Sequence, residues 1–391
     1  MKKVLIVLMS VLVVSMSFTA CNNKNDVDEE PPKNNISENG LNETPDNNSE
    51  KTPEKNQEDN DESKSDAEKD DESAGDEKDN TSANDIKDKT PESNNEVQNE
   101  QKKPEIEKLD DKHMLYDGYA FEKNEYDKAQ ADYAVTVMNN VISRLLKGNN
   151  VYLSILPDKN YQVMKMTGGD VSGYTLLVSN IRNGVSSAKY IDTLEMLTLD
   201  SYYKTDAHWK QECIVDIANK LVTTMNPSAG VSSVDSYTVK EINGFSGTYL
   251  KSGKANLAEE TLKYLDGGAI SSMTATCLNN SGKFAALPIY SEAKMSGAEE
   301  YDFFLGGAQT IVTIDNPNAV TDKELVVFRD SFGSSIAPLV AQGYKKTTFV
   351  DLRYIVPDLL PSLVNFENSD VLFLYSANIL NNGRILKNFM K

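Results

Sequence analysis

Two histidines occur in the 391 residues, His113 and His208. His113 sits at the edge of a charged stretch without aromatics, so a mechanism with an imidazole base turns on His208. That residue lies in Tyr202-Tyr203-Lys204-Thr205-Asp206-Ala207-His208-Trp209. A carboxylate two positions before a histidine can orient the ring and stabilise its charged form while a proton moves. Asp206 can equally cap a following helix, with His208 a satisfied structural residue. A second segment, Glu324-Leu325-Val326-Val327-Phe328-Arg329-Asp330-Ser331-Phe332-Gly333-Ser334-Ser335, reads as strand, sharp turn and helix. A serine at such a turn exposes its hydroxyl at a strand end, where amides of the helix start can stabilise an oxyanion. Asp330 and Ser331 also suit a plain N-cap pair. Each segment alone is a weak signal. Together they point to nucleophilic acyl chemistry.

These residues need a scaffold that brings positions 206 and 331 together. Residues 126–146 place Ala131, Ala134, Val135, Met138, Val141, Ile142 and Leu145 at helical spacing, with Gly148 as a stop. Val151–Leu156 reads as a buried strand closed by Pro157. Helical patterns recur from about Asp170 to Ile181 and from Trp209 to Met225. Residues 236–292 alternate apolar and polar with many Gly and Ser, which suggests hairpins or a short antiparallel patch. Short apolar runs follow at Ile311–Ile314, Leu325–Phe328, Thr347–Val350 and Val371–Tyr375. Their separation by helical or loop segments predicts a mainly parallel α/β sheet covered on both faces.

Charge is uneven along the chain. Of the net −20, residues 22–110 hold 12 lysines against 29 carboxylates, whereas 111–391 hold 26 basic and 31 acidic groups. An acidic tail on a mildly acidic body excludes a nucleic-acid binder, which needs basic surface to displace counterions. Residues 22–110 contain no Phe, Tyr or Trp, so they cannot bury enough apolar surface to order themselves. They read as a disordered acidic tether, with a reach of about 300 Å fully extended and a mean span of roughly 50 Å as a coil. Lys2 and Lys3 precede an apolar run from Val4 to Val14, too short for a membrane-spanning helix but suited to an export signal. Ala20-Cys21 resembles a bacterial lipoprotein processing site, which implies lipidation of Cys21 and a lipid anchor holding the protein outside the cytoplasm. The folded body is expected over 111–391. Cys213 and Cys277 can pair in an exported protein, although spacing does not decide it. No ligand-spaced His or Cys cluster points to zinc, and no cofactor is expected. Gly306-Gly307 and Gly267-Gly268 read as turns.

In this order, Ile155-Leu156-Pro157-Asp158-Lys159, Tyr203–Trp209, Arg329-Asp330-Ser331-Phe332, Val350-Asp351-Leu352-Arg353-Tyr354 and Asp370–Tyr375 resemble the DHHW protein family. That family is similar to the alginate O-acetylation proteins. The resemblance spans roughly 115–391 and implies an SGNH-hydrolase-like fold, a parallel sheet flanked by helices, with Asp and His placed before Ser in the chain. It also implies Ser331 as nucleophile, His208 as general base and Asp206 as its orienter. Arg353 matches a family position that would bind acyl or sugar oxygens, unless it pairs with Asp351. Trp209 would stack on a sugar, unless it is core. One departure stands out, since Ala207 occupies the first histidine of the family's Asp-His-His-Trp.

The implied activity is O-acetylation of a cell-surface polysaccharide, with the acetyl donor supplied through a membrane-bound O-acyltransferase. An acetylesterase would use the same triad with water as acceptor. A non-catalytic polysaccharide-binding or assembly protein would keep the fold without the chemistry. The acyl-transfer readings require His208 within hydrogen-bond reach of Ser331, with Asp206 near the other ring nitrogen.

Overall fold

The computed structural model describes residues 104–390 with the exception of Val231. The signal-like start with Cys21, and the acidic stretch up to residue 103, lie outside the described residues. Described structure opens with a small antiparallel sheet of β1 (Glu107–Lys108), β2 (His113–Tyr116) and β3 (Tyr119–Glu122). Asp117 and Gly118, both at positive φ, make the tight turn between β2 and β3, as two-residue hairpins require. Strand β1 lies upstream of the boundary expected at 110. Glu107 and Lys108 pair with Leu115 and Met114, and Leu109 packs beside Ala120 and Tyr249. A long compositional window hides so short a pairing.

The chain continues through α1 (Lys128–Leu145), β4 (Val151–Leu156), α2 (Lys159–Thr167), α3 (Ser172–Gly184) and β5 (Lys189–Tyr190). Asp127 caps α1 by accepting the amides of Ala129 and Gln130. Asp158 caps α2 through the amide of Tyr161, so the turn after Pro157 starts a helix that hydrophobic periodicity alone does not disclose. Next come α4 (Val215–Met225), β6 (Thr238–Phe245), α5 (Thr248–Lys251) and β7 (Glu260–Asp266). They are followed by β8 (Thr274–Leu278), β9 (Phe284–Leu287), β10 (Ile311–Asp315), β11 (Glu324–Arg329) and α6 (Gly333–Ala341). The last elements are β12 (Lys346–Val350), β13 (Ser369–Ser376) and α7 (Ala377–Leu380).

Eight strands form the central sheet in the order β5-β4-β13-β11-β12-β10-β8-β9. From β5 to β12 every pairing is parallel; β10, β8 and β9 extend the sheet antiparallel. The parallel core is buried on both faces, which explains its nearly continuous apolar runs. Alternate residues sort accordingly. Leu325, Val327, Leu372 and Leu374 join the cluster under α4 and α6, whereas Val326, Phe328, Val371 and Phe373 join the one under α1 and α3. This is the SGNH-hydrolase-like α/β arrangement that the motifs imply. The hairpin β6–β7 stands outside the sheet. The carboxyl ends of β4, β11, β12 and β13 share one edge, and they lead into Asp158-Lys159, Asp330-Ser331, Asp351 and Ala377. Open parallel sheets bind ligands at such an edge.

Candidate active site

Ser331 sits on the turn between β11 and α6, and Asp330 shapes that turn. The buried Asp330 carboxylate accepts the Phe332 amide at 3.0 Å with one oxygen and the Ser376 amide at 2.7 Å with the other. One side chain thus closes the turn and ties it to the end of β13. The Gly333 amide is also engaged, donating to the Asp330 carbonyl at 3.0 Å. With Phe332 and Gly333 amides committed to Asp330, the expected oxyanion role for the helix-start amides narrows to that of Ser331, which has no such bond among the described residues. Beneath the turn lies the buried Arg329. Its guanidinium donates to the Asp330 carbonyl at 3.2 Å, Ser334 Oγ at 3.1 Å and the Gly307 carbonyl at 3.3 Å. Burial pulls the Arg329 pKa down, and Asp351, 4.0 Å away, opposes that.

His208 comes from a loop pinched at its base. Tyr202 bridges Trp209, the Tyr203 amide donates to the His208 carbonyl at 3.2 Å, and the Lys210 amide donates to the Ser201 carbonyl at 2.8 Å. The helix expected from Trp209 begins at Val215. Asp206 therefore does not cap the helix that follows it. Its Oδ1 accepts the His208 amide at 3.0 Å and lies 2.6 Å from Nδ1. A carboxylate only accepts, so Nδ1 carries a proton, and in the neutral ring Nε2 is left with a lone pair. Nε2 is 2.8 Å from Ser331 Oγ. The structure brings all three residues together, across 123 positions in the chain between His208 and Ser331.

The second Asp206 oxygen, Oδ2, accepts both the amide of Thr248 at 2.8 Å and its hydroxyl at 2.9 Å. That contact depends on Gly247, where a Cβ would stand 2.4 Å from the Thr205 carbonyl oxygen and 2.5 Å from the Asp206 Cβ. From β7, Glu260 fixes the same loop. It accepts the amides of Lys204 and Thr205 at 2.9 and 2.7 Å and the Thr205 hydroxyl at 2.7 Å. Burial works to raise the Asp206 pKa, but the adjoining His208 and the bonds from His208 and Thr248 outweigh it and hold the carboxyl well below the usual carboxylate range. It stays the anion an imidazolium needs beside it.

The His208 ring is clamped between aromatics. Tyr301 stacks on it at 3.9 Å between centroids and 4° between planes, and Phe332 leans against it at 4.9 Å. A polar knot behind the ring holds Tyr301 in turn. Its hydroxyl donates to Ser335 Oγ at 2.6 Å, and Trp209 Nε1 donates to the same oxygen at 2.8 Å. Gln211 adds a bond to the Ser335 carbonyl at 2.7 Å.

One expected substrate contact is corrected. Trp209 is fully buried, with Nε1 on Ser335 and its ring edge to face with Phe332, so no sugar can stack on it. Arg353 directs Nε and Nη2 at the buried Asp351, at 2.9 and 2.6 Å, and so forms the ion pair that is one of its two expected roles. His113 bonds Asp110 through Nδ1 at 2.8 Å in the small N-terminal sheet and takes no part in the site. Cys213 and Cys277 are free thiols. The described residues contain no group of His, Cys, Asp and Glu suited to a metal. Ser335 stands in the strand-turn-helix segment without a role read for it, and Gly247, Thr248, Glu260 and Tyr301 escape the sequence reading altogether. They lie in other segments, and only Phe245-Ser246-Gly247-Thr248, a glycine turn closing an alternating run, gave any local signal.

No protein-family profile and no curated protein matches the sequence. Solved structures do. A DHHW family protein from Eubacterium siraeum superposes with a TM-score of 0.58 at 19% identity, over 71% of this chain and 96% of that one. The chain shares its fold. Bacillus cereus PatB1, in a structure with a sulfonyl adduct, gives 0.58 at 19% identity over 73% of this chain and 99% of that one. The O-acetyltransferase domain of Pseudomonas putida AlgJ is more distant, at 0.38 and 11% over 71% and 92%.

Proposed function

We propose that this protein is an acyl-transfer enzyme that O-acetylates a cell-surface polysaccharide through an acyl-enzyme on Ser331. One observation carries the reading, the unbroken chain from Ser331 Oγ to His208 Nε2 at 2.8 Å and from Nδ1 to Asp206 at 2.6 Å. Ser331 Oγ attacks the carbonyl carbon of the acyl donor while its proton passes to Nε2. Asp206 stabilises the imidazolium, and the departing group takes that proton as the acyl-serine ester forms. A sugar hydroxyl then attacks the ester and gives its proton to Nε2. Collapse releases the acetylated sugar and returns the proton to Ser331. A membrane-bound O-acyltransferase would supply the donor. A lipid anchor at Cys21 would keep the enzyme at the outer side of the cell membrane, beside both donor and polymer.

The fold shared with the DHHW structure supports the reading, and so does the sulfonyl adduct reported for PatB1. A sulfonyl fluoride is the matching probe. It is expected to label the protein once, at Ser331, with no labelling of Ser331→Ala. Incubation with an acetylated donor and an oligosaccharide acceptor is expected to yield acetylated sugar. Free acetate as the sole product would replace the transferase with an acetylesterase. A folded protein that neither labels nor changes acetyl content would leave a binding or assembly role.

A further inference from the structure

The acyl-transfer steps make no use of Lys159, although it is the most deeply buried lysine near the site. Only 2% of it is exposed. It leaves the carboxyl end of β4 directly after Pro157-Asp158 and crosses to the loop that carries Asp206 and His208. Nζ donates to the Tyr203 carbonyl at 2.9 Å and approaches the Lys204 carbonyl at 3.5 Å. It also stands over the Tyr249 ring, 4.9 Å from the centroid. Two carbonyls and a ring face are its partners among the described residues, and a buried ammonium without a carboxylate is an unfavourable choice for a mere pin. Leucine or methionine would fill the volume without the desolvation.

The placement gives the charge a purpose. Tyr203 and Lys204 lead into Asp206, and Tyr249 follows Thr248, which donates twice to Asp206. One ammonium thus touches both arms that hold the carboxylate. We propose, on the reading that Asp206, His208 and Ser331 form the triad, that Lys159 is a positioning residue acting through Asp206. Its positive charge fixes the 203–208 loop against the start of α5 and favours the Asp206 anion. Asp206 and Glu260 are the anions facing Lys159, Lys210 is the opposing cation, and His113 lies beyond the Tyr249 ring at 5.7 Å.

Burial pushes the Lys159 pKa down to about 7 against the pull of Asp206 and Glu260. The ammonium is therefore present on the acid side of that value and lost as pH rises through it. Ser331 reactivity should therefore fall on the alkaline side as Lys159 gives up its proton. The test is the rate at which phenylmethylsulfonyl fluoride labels Ser331 of the full chain across pH, with thermal melts monitoring the fold. Lys159→Met is expected to label roughly 10–100-fold more slowly and to lose the alkaline limb. Lys159→Arg, charged throughout, should regain much of the rate and show no alkaline limb. A folded Lys159→Met with the wild-type rate and profile overturns the proposal, as does a Lys159→Arg profile identical to wild type. Should Lys159→Met not fold, Tyr249→Leu removes the ring acceptor and must move the alkaline limb; an unmoved limb overturns the proposal too. Wild-type protein that never labels at Ser331 would instead remove the triad reading itself.

Discussion

At the scale of single residues, the candidate site was legible where chemistry is rare. Two histidines leave few bases, so Asp206-Ala207-His208 could be singled out, and a strand-turn-helix serine supplied its partner. The side chain misread was the one whose role depends on burial. Trp209 has the right type for a sugar platform, but its ring is fully enclosed and its Nε1 is spent on Ser335. Arg353, by contrast, makes the Asp351 ion pair that its sequence neighbourhood already offered. The burial of Trp209 does not follow from residue type, because solvent access is set by segments far away in sequence. Gly247 is the sharpest case of such remote control. Any Cβ there meets Thr205 and the Asp206 Cβ at 2.4–2.5 Å, and such contacts force backbone shifts costing about 1–3 kcal/mol. The shift would fall on the Thr248 amide and hydroxyl that hold Asp206. Gly247→Ala is therefore expected to slow Ser331 labelling by at least about tenfold, since displacements of 1 Å can cost more. The melting temperature should fall only modestly. An unchanged labelling rate would mean that the Thr248 contact does not orient Asp206.

At the scale of elements, the parallel strands were readable because burial on both faces leaves continuous apolar runs, as in Val371–Tyr375. Chain direction was less readable. Ile311–Ile314 looks like its neighbours, but β10 runs antiparallel to β12, a difference of connection and not of composition. The helix expected from Trp209 shrank to Val215–Met225 because the Tyr202–Trp209 bridge claims the preceding residues for the His208 loop. Helix α6 shows how an element can serve the site from behind. It is buried along its whole length, and Ser335 turns one hydroxyl toward Trp209 from the loop and Tyr301 from the opposite wall. Ser335→Ala would strand the buried Trp209 N–H, at a cost of about 1–3 kcal/mol, and leave the Tyr301 hydroxyl only the Trp209 carbonyl at 3.5 Å. The variant is expected to melt several degrees lower and to label more slowly, because Tyr301 loses the bond that holds its ring against His208. Ser335→Thr, which keeps the hydroxyl, tests whether that bond alone matters. A Ser335→Ala protein with wild-type melting would show that water replaces the lost oxygen.

At the scale of the whole molecule, address and chemistry occupy separate stretches of sequence. The apolar cores on both sheet faces, the loop carrying His208 and the turn carrying Ser331 all fall within residues 104–390. Every feature that suggests export and anchoring falls within the first 21 residues, and the aromatic-free acidic stretch stands between. No described helix is long and apolar enough to cross a membrane. On the proposed reading the attachment is lipid at Cys21, where a pair of acyl chains gives stable anchoring and a single chain does not. Cys21→Ser therefore separates location from catalysis. In a bacterial host the variant is expected to move from the membrane fraction to the soluble extracytoplasmic or secreted fraction. Its purified form should label at Ser331 at the wild-type rate and melt at the same temperature. Acetylation of the polymer on intact cells should nevertheless drop, since an unanchored enzyme is diluted away from a membrane-supplied donor, and effective concentration is what a tether provides. A Cys21→Ser protein that stays with the membrane would overturn the lipid anchor. One that leaves the membrane yet acetylates the polymer at the full rate would show that the donor reaches Ser331 without the membrane.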